Sequence, residues 1–275
     1  MTATTPGFGV TARPGLAGFG RLLRSEWTKI RSVRSTVWSL VILVVTAIGL
    51  NALVTAVTIA NWNSISAATK QTYVADPTGF LGAALAYAQI PLCVLGAMVI
   101  TSEYSTGMIR SSVLAVPRRT PMFAAKAAVF GAIAFVVGEL LAFPCFLLAE
   151  AIIGEHLRLS IRDPDVLRAV FGVGLYLGVL GLFSFAIGAL VRHTGAAITV
   201  TVGFVLVLSG LARLLPGSAG QHISAYLPTN AGRLIMSAHQ APGSLLSPWQ
   251  GFGVFCLWTA ALLAIAVFLL KRRDV

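Results

Sequence analysis

Residues 37–60 read VWSLVILVVTAIGLNALVTAVTIA, a run that contains no charged side chain. A helix needs roughly 20 apolar residues to cross about 30 Å of hydrocarbon. Five further runs meet this requirement, so that the six predicted spans are Val37–Ala60, Gly79–Thr101, Pro121–Ile153, Leu167–Val191, Thr194–Leu215 and Gln250–Leu270. The sequence therefore predicts an all-α polytopic membrane protein with six transmembrane helices, whose transmembrane domain covers residues 37–275.

The composition of the chain agrees with a membrane protein. Of its 275 residues, 57% are hydrophobic and only 11% are charged, whereas soluble domains average about 25% charged residues. The net charge of +11 does not indicate a nucleic-acid-binding protein, because such proteins carry a basic face on a soluble module. Here the basic residues lie between apolar runs, so no nucleic-acid partner is expected and the lipid bilayer explains them better.

The distribution of Lys and Arg predicts the orientation. Fourteen of the 20 basic residues fall on the side of the N-terminus and six on the other side, where five acidic residues nearly cancel them. Basic residues concentrate in cytoplasmic loops, so both termini are expected in the cytoplasm. Arginine outnumbers lysine 16 to 4, which favours a bacterium with a GC-rich genome and therefore a location in its plasma membrane.

The segment before the first span has a helical pattern. Residues 1–18 predict a flexible cytoplasmic tail, and residues 19–36 an amphipathic helix that lies in the membrane interface. Its apolar positions are Phe19, Leu22, Leu23, Trp27, Ile30, Val33 and Val37, and its basic positions are Arg21, Arg24, Lys29, Arg31 and Arg34. The alternative is that these charges only flank the first span and form no helix.

The third apolar run is longer than a bilayer requires, so it is expected to tilt, to kink at Pro144 or to project from the membrane. It contains Glu139, which lies deep within an apolar run. A carboxylate at this depth costs about 2.5–3.5 kcal/mol on insertion scales. Glu139 is therefore a candidate for the substrate path; alternatively, the helix slides outward and Glu139 lies near the outer headgroups.

Two further patterns concern packing. Small residues in the fourth span (Gly174, Gly178, Gly181, Ser184 and Gly188) lie along one helix face, which predicts close packing within the chain or, alternatively, a homodimer interface. The last outer loop, residues 216–249, is too long to lack structure of its own. One or two partly embedded helices are expected there.

No motif for catalysis occurs in the chain. It has no Gly-x4-Gly-Lys-Ser/Thr phosphate-binding loop, no His-Glu-x2-His and no Gly-x-Ser-x-Gly. Its three cysteines lie in three different apolar runs and its four histidines show no ligand spacing, so neither a disulfide nor a metal site is predicted. We therefore expect no enzymatic activity, no catalytic residue and no cofactor in this chain.

The loop between the second and third spans carries the strongest functional pattern. It reads EYSTGMIRSSVLAVPRR over residues 103–119, and combines a carboxylate and three arginines with a glycine and a proline. Such a loop on the cytoplasmic face suggests a docking surface for another protein. The alternative is ordinary positive charge beside a membrane span.

The pattern Glu103-x3-Gly107-x6-Leu114-x2-Pro117-x-Arg119, followed by Lys126, resembles the loop of type-2 ABC transporter permeases of the exporter class. Residues 24–35, RSEWTKIRSVRS, are similar to the amphipathic N-terminal helix of actinobacterial members. Met108 departs from the pattern, because many members have Thr after the glycine.

The resemblance implies the membrane subunit of an ATP-driven exporter that acts with two copies of a separate ABC ATPase, which binds ATP and Mg, and with a second permease subunit, identical or homologous. It assigns docking on the ATPase to a coupling helix in this loop, with Glu103, Gly107, Arg110, Pro117, Arg118 and Arg119 as candidate coupling residues. The sparse polar residues of the spans favour a lipophilic substrate. Two alternatives remain, namely a secondary transporter driven by an ion gradient and a membrane anchor protein that transports nothing.

Overall fold

The computed structural model describes residues 16–32, 34–106, 119–153, 160–240 and 243–272. These residues form helices and connecting turns, with no strand among them. The helices are α1 (Leu16–Ser32), α2 (Arg34–Ala60), α3 (Ala67–Ala75), α4 (Gly79–Ser105), α5 (Arg119–Ile153), α6 (Pro164–Val191), α7 (Thr194–Val202), α8 (Ser209–Ala212), α9 (Gly217–Tyr226), α10 (Pro228–Arg233) and α11 (Pro248–Arg272). A π-helical segment, Gly203–Leu208, joins α7 to α8, and a 3₁₀ turn, Leu234–Met236, follows α10.

Five stretches of helix are long and apolar enough to cross a membrane, and they coincide with five of the six predicted runs: Thr36–Ala60, Thr120–Ile153, Pro164–Val191, Thr194–Ala212 and Pro248–Arg272. The remaining run lies within α4, a helix of 27 residues that continues through Pro91. The long third run is one helix of 35 residues that continues through Pro144. The prediction of an all-helical, multi-pass membrane protein is thus confirmed.

The N-terminal helix differs from its predicted bounds. It begins at Leu16, so that residues 16–18, which were assigned to a flexible tail, are helical, and it ends at Ser32. Arg34 belongs to α2. Of the predicted interfacial helix, residues 19–32 lie in α1 and residues 34–36 in α2. Residue 33 and the rest of the predicted tail, residues 1–15, lie outside the described part of the chain.

Helix α6 lies at the centre of the bundle. In an apolar stretch of 18 residues of α6, 78% of the residues are buried, whereas the corresponding stretches of the other four candidate spans are 22–44% buried. The small residues predicted to form a packing face are responsible for this central position. Gly178 lies against Phe135 of α5, and Gly188 against Ala97 and Ile100 of α4. The prediction of close packing within the chain is confirmed, and this face is not free to form a homodimer interface.

The segment after α8 folds back onto the bundle at the end opposite to α1. The Arg168 guanidinium of α6 donates hydrogen bonds to the carbonyl oxygens of Ile235 (3.4 Å) and Ala238 (3.0 Å). The Thr78 hydroxyl accepts one from the backbone N–H of Ala238 at 2.9 Å. Helix α10 and the 3₁₀ turn that follows it are largely buried. The loop thus contains two short helices, as expected, which meet at Leu227 and Pro228, and their embedding in the membrane stays a prediction.

Two glycines of α11 test this packing because they differ only in what surrounds them. A Cβ at Gly251 would lie 2.4 Å from the carbonyl oxygen of Ala231, whereas a Cβ at Gly253 would meet nothing within 4 Å. We expect Gly251→Ala to destabilise the protein by about 1–3 kcal/mol, since overpacking displaces the α10 backbone. Gly253→Ala should be neutral or slightly stabilising, because alanine favours helix. Thermal unfolding of both variants in detergent measures the difference, and equal effects would contradict this packing.

Candidate functional site

Four charged side chains from three helices meet at the end of the bundle that carries α1. Lys126 of α5 donates hydrogen bonds to Glu26 of α1 at 2.5 Å and to Glu103 of α4 at 2.7 Å. Lys29, one turn after Glu26, donates to Glu26 at 2.7 Å and lies 3.6 Å from Glu103. Glu26, Lys29, Glu103 and Lys126 are called the charge cluster below.

The charge cluster is buried and electrically balanced. The exposed fractions of Glu26, Lys126 and Glu103 are 2%, 4% and 6%, and only Lys29 is substantially exposed. Two carboxylates face two ammonium groups, so the net charge is zero. Ion pairs of this kind add little stability compared with apolar residues, but removal of one partner costs several kcal/mol. The cluster therefore fixes the mutual positions of α1, α4 and α5.

The position of the charge cluster follows from the helices around it. Glu103 lies in the last turn of α4, which ends at Ser105, and Lys126 lies two turns into α5, which begins at Arg119. These helices lead into and out of residues 107–118. Glu26 and Lys29 are three residues apart and share one face of α1. The ends of the loop predicted to dock a partner are thus tied to each other and to α1.

The pKa values of the α1 members reflect this pairing. Burial alone would raise the pKa of the Glu26 carboxyl, but the ammonium groups of Lys126 and Lys29 outweigh burial and hold it below its ordinary value. Burial would lower the pKa of Lys29, but its hydrogen bonds and attraction to Glu26 and Glu103 raise it. Both groups therefore remain charged at neutral pH.

These shifts predict how the docking of α1 depends on pH. Glu26 stabilises the docked position of α1 above its unfolded pKa of about 4.3, and this stabilisation is lost as the pH falls through the lower folded pKa. Lys29 stabilises the docked position of α1 below its unfolded pKa of about 10.4, and this stabilisation is lost as the pH rises through the higher folded pKa. We expect a spin label at the exposed residue Thr28 to show constant mobility between about pH 5 and pH 9 and greater mobility in stronger acid or base. Release of α1 near pH 6–7 would contradict the pairing.

The structure places the predicted coupling residues unequally. Glu103 is buried in the charge cluster, so its side chain is not exposed on the surface of this chain, and its predicted coupling role stays a prediction. Arg119 is the first residue of α5. Gly107, Arg110, Pro117 and Arg118 lie outside the described residues, so their predicted role stays a prediction.

Four of the six predicted interfacial residues lie on the exposed side of α1, whereas Lys29 belongs to the charge cluster and Arg34 to α2. Arg21, Arg24 and Arg31 are exposed, and so is Trp27, at 52%. Among residues 18–32 of α1, whose burial the structure describes, the buried residue is instead Glu26. It follows Leu22 by four residues and precedes Ile30 by four, so it lies on the predicted apolar stripe. A carboxylate on the apolar face of α1 was the one feature of the sequence that indicated a buried ion pair. The sequence analysis did not use this feature, so the charge cluster was not predicted.

Glu139 has a different environment from the charge cluster. Its carboxylate packs against Gly174 of α6, where a Cβ would lie 2.2 Å from Oε1. Both carboxylate oxygens are buried and have no hydrogen-bond partner among the described residues. The side chain as a whole is half-buried. The structure therefore brings Glu139 to the interface of α5 and α6 and gives it no countercharge there.

A cavity of about 520 Å³ with both polar and apolar lining lies at the end of the bundle opposite to α1, between α8, α9 and the segment before α11. Its lining includes Arg213, whose guanidinium donates a hydrogen bond to Asn230 at 3.0 Å. Among the described residues, no group of three or more His, Cys, Asp and Glu side chains is arranged to hold a metal ion. No protein-family model matches the chain, and no curated protein matches it.

Proposed function

We propose that this chain is the membrane-spanning permease subunit of an ATP-driven ABC exporter in a bacterial plasma membrane. The observation that carries the proposal is the charge cluster, which joins both ends of the 107–118 loop to α1. A permease without a phosphate-binding loop of its own must receive work through contacts that differ between the states of its ATPase. The loop is the proposed contact, and Arg110, Arg118 and Arg119 are its proposed charges.

The charge cluster supports this function by its position. A displacement of the loop is expected to act on α4 and α5, from which it extends, and on α1, which Lys126 and Lys29 hold to them. Helix α4 in turn packs along α6, where the Ser184 side chain lies against Gly96. Force applied at the loop would therefore reach the central helix of the bundle.

The proposal includes six spans with both termini in the cytoplasm. Helix α4 is the sixth, since it has the length required to cross the bilayer and packs between α2 and α6. Basic residues favour the α1 end as cytoplasmic, because α1 carries three exposed arginines and α11 ends with Lys271 and Arg272. The proposed assembly contains two ATPase subunits and a second permease subunit, and a lipophilic substrate suits the apolar spans.

Reconstitution tests the energy source directly. The chain is incorporated into liposomes with the ABC ATPase that co-purifies with it, and lipophilic compounds are screened for transport and for stimulation of ATP hydrolysis. We expect transport that requires ATP and that persists when ionophores abolish all ion gradients. Transport that an ion gradient drives without ATP would overturn the proposal.

One observation favours a second candidate, an ion-coupled secondary transporter. Glu139 is a carboxylate within a candidate span, and neither of its oxygens has a partner among the described residues. Intramembrane carboxylates of this kind bind protons or cations in many transporters. In that function the gradient, rather than a partner ATPase, would supply the energy.

Substitution of Glu139 shows whether this carboxylate belongs to the substrate path. In the exporter, we expect Glu139→Gln to keep ATP-driven transport of neutral compounds and to reduce transport of cationic ones at least tenfold, because only the charged side chain attracts cations. Leu140→Gln, on the adjacent exposed position, is the matched control. Unchanged transport of every compound would exclude Glu139 from the path, and loss of gradient-driven transport would favour the secondary transporter.

A further inference from the structure

A second cavity, of about 350 Å³, borders the charge cluster between α1, α2 and α4. Leu95, Met98 and Val99 of α4 form an apolar wall, and Lys29 and Glu103 lie at its charged end. Hydroxyl groups, among them that of Ser39, complete the lining together with Ile30 and Lys126, the latter already paired with Glu26 and Glu103. The cavity therefore combines an apolar wall with charged groups of both signs. Such a lining suits an amphiphilic ligand better than a wholly apolar one.

The two carboxylate oxygens of Glu103 are not equivalent. Its Oε1 accepts the hydrogen bond from Lys126, whereas its Oε2 is buried and has no hydrogen-bond partner among the described residues. Buried carboxylate oxygens normally accept hydrogen bonds. Because Glu103 also lines the cavity, a ligand in it that brings an N–H donor would satisfy this oxygen after a small rotation of the side chain.

Lys29 supplies the complementary group. Its side chain is 38% exposed although it pairs with Glu26, and it lines the same cavity. An ammonium group has three donors and no acceptor, so Lys29 can hold an anionic group in addition to its carboxylate partners. A phosphate oxygen is a suitable acceptor for this kind of charge-assisted hydrogen bond.

We propose that this cavity is a binding site for a phospholipid whose headgroup carries a primary ammonium, that is, for phosphatidylethanolamine. The lipid phosphate accepts from Lys29, the headgroup ammonium donates to Oε2 of Glu103, and an acyl chain lies along Leu95, Met98 and Val99. The headgroup is zwitterionic, so it adds no net charge to a cluster that is already balanced.

Other phospholipids fit these groups less well. The quaternary ammonium of phosphatidylcholine has no N–H and leaves Oε2 without a donor. Phosphatidylglycerol brings a phosphate without an ammonium group, so it adds a negative charge beside two carboxylates. The site therefore distinguishes headgroups by their N–H donors, which is a property that a set of methylated lipids can measure.

Native mass spectrometry of the detergent-solubilised wild-type protein tests the proposal, with phosphatidylethanolamine, its mono- and dimethylated forms and phosphatidylcholine added in turn. The first three keep at least one N–H, so we expect similar binding for them and at least tenfold weaker binding of phosphatidylcholine. Phosphatidylglycerol should also bind at least tenfold more weakly. The proposal would be overturned by equal binding of all five lipids, by a preference for phosphatidylglycerol or by the absence of any bound lipid. In the last case a buried water would be the donor to Oε2.

Three variants locate the binding in this cavity. Met98→Trp fills the apolar wall without touching the charge cluster and should abolish the selective binding, whereas Leu140→Trp on the exposed side of α5 should leave it unchanged. Glu103→Gln should bind phosphatidylethanolamine and phosphatidylcholine equally. If Glu103→Gln does not fold, the lipid series on the wild-type protein and the two tryptophan variants still decide the question. Selective binding that survives Met98→Trp would place the site elsewhere and contradict the proposal.

Discussion

Replacement of Lys126 by methionine is expected to destabilise the protein by about 3–5 kcal/mol, since it leaves two buried carboxylates without their shared partner. Glu26 and Glu103 both accept from Lys126, and neither is more than 6% exposed. Lys29 alone cannot replace it, because it reaches Glu103 only at 3.6 Å. Thermal unfolding in detergent should show a large loss of stability, accompanied by release of α1 as a more mobile spin label at Thr28.

Two control variants separate pairing from simple loss of a side chain. Lys29→Met removes a partly exposed partner and should cost much less than Lys126→Met. The triple variant Glu26→Gln, Glu103→Gln, Lys126→Met removes the buried charges together and should recover most of the lost stability, because uncharged residues of similar size often replace buried ion pairs without loss. If Lys126→Met and Lys29→Met had the same small effect, the charge cluster would not hold α1.

Charge reversal in the loop is expected to abolish association with the proposed ATPase. Arg110→Glu combined with Arg119→Glu changes the charge of the loop and its border by −4. Like charges placed against a complementary surface cost several kcal/mol, so we expect at least tenfold less ATPase recovered with the permease. Co-purification of the tagged variant with its ATPase, followed by assay of ATP hydrolysis, measures this loss.

The matched control applies the same change of charge at the opposite end of the bundle. Lys70→Glu combined with Arg162→Glu alters two basic residues that lie outside the loop and the charge cluster. This variant should retain the ATPase at the wild-type level. Full recovery of the ATPase by the Arg110 and Arg119 variant would mean that the loop arginines make no contribution to docking.

The spans were predictable because their signal is local. An apolar run as long as residues 37–60 forms almost no structure other than a helix within a membrane. The spacing of Gly174, Gly178 and Gly181 likewise predicted a packing face, since the periodicity of a helix alone brings these residues together. The structure adds the residues that each glycine contacts. These partners lie on other helices and cannot be read from the sequence of α6.

The charge cluster was not predictable in the same way. Glu26 and Lys126 are 100 residues apart, and no local pattern links them. Glu103 was assigned to a loop because the polar run from Thr101 to Thr106 has the composition of one. Its pairing with Lys126 allows α4 to continue to Ser105, and this tertiary contact overrides the local preference.

The most direct measurement of the proposed function is photocrosslinking from the loop. A photoreactive amino acid at position 111, within the loop, is compared with one at Ser218 in α9, an exposed position at the opposite end of the bundle. In cells that express the chain together with the proposed ATPase, we predict a covalent product with that ATPase from position 111 and none from position 218. Absence of the product from position 111 in a transporter that is assembled and active, or its formation only from position 218, would contradict the assignment of the loop as the ATPase-docking surface.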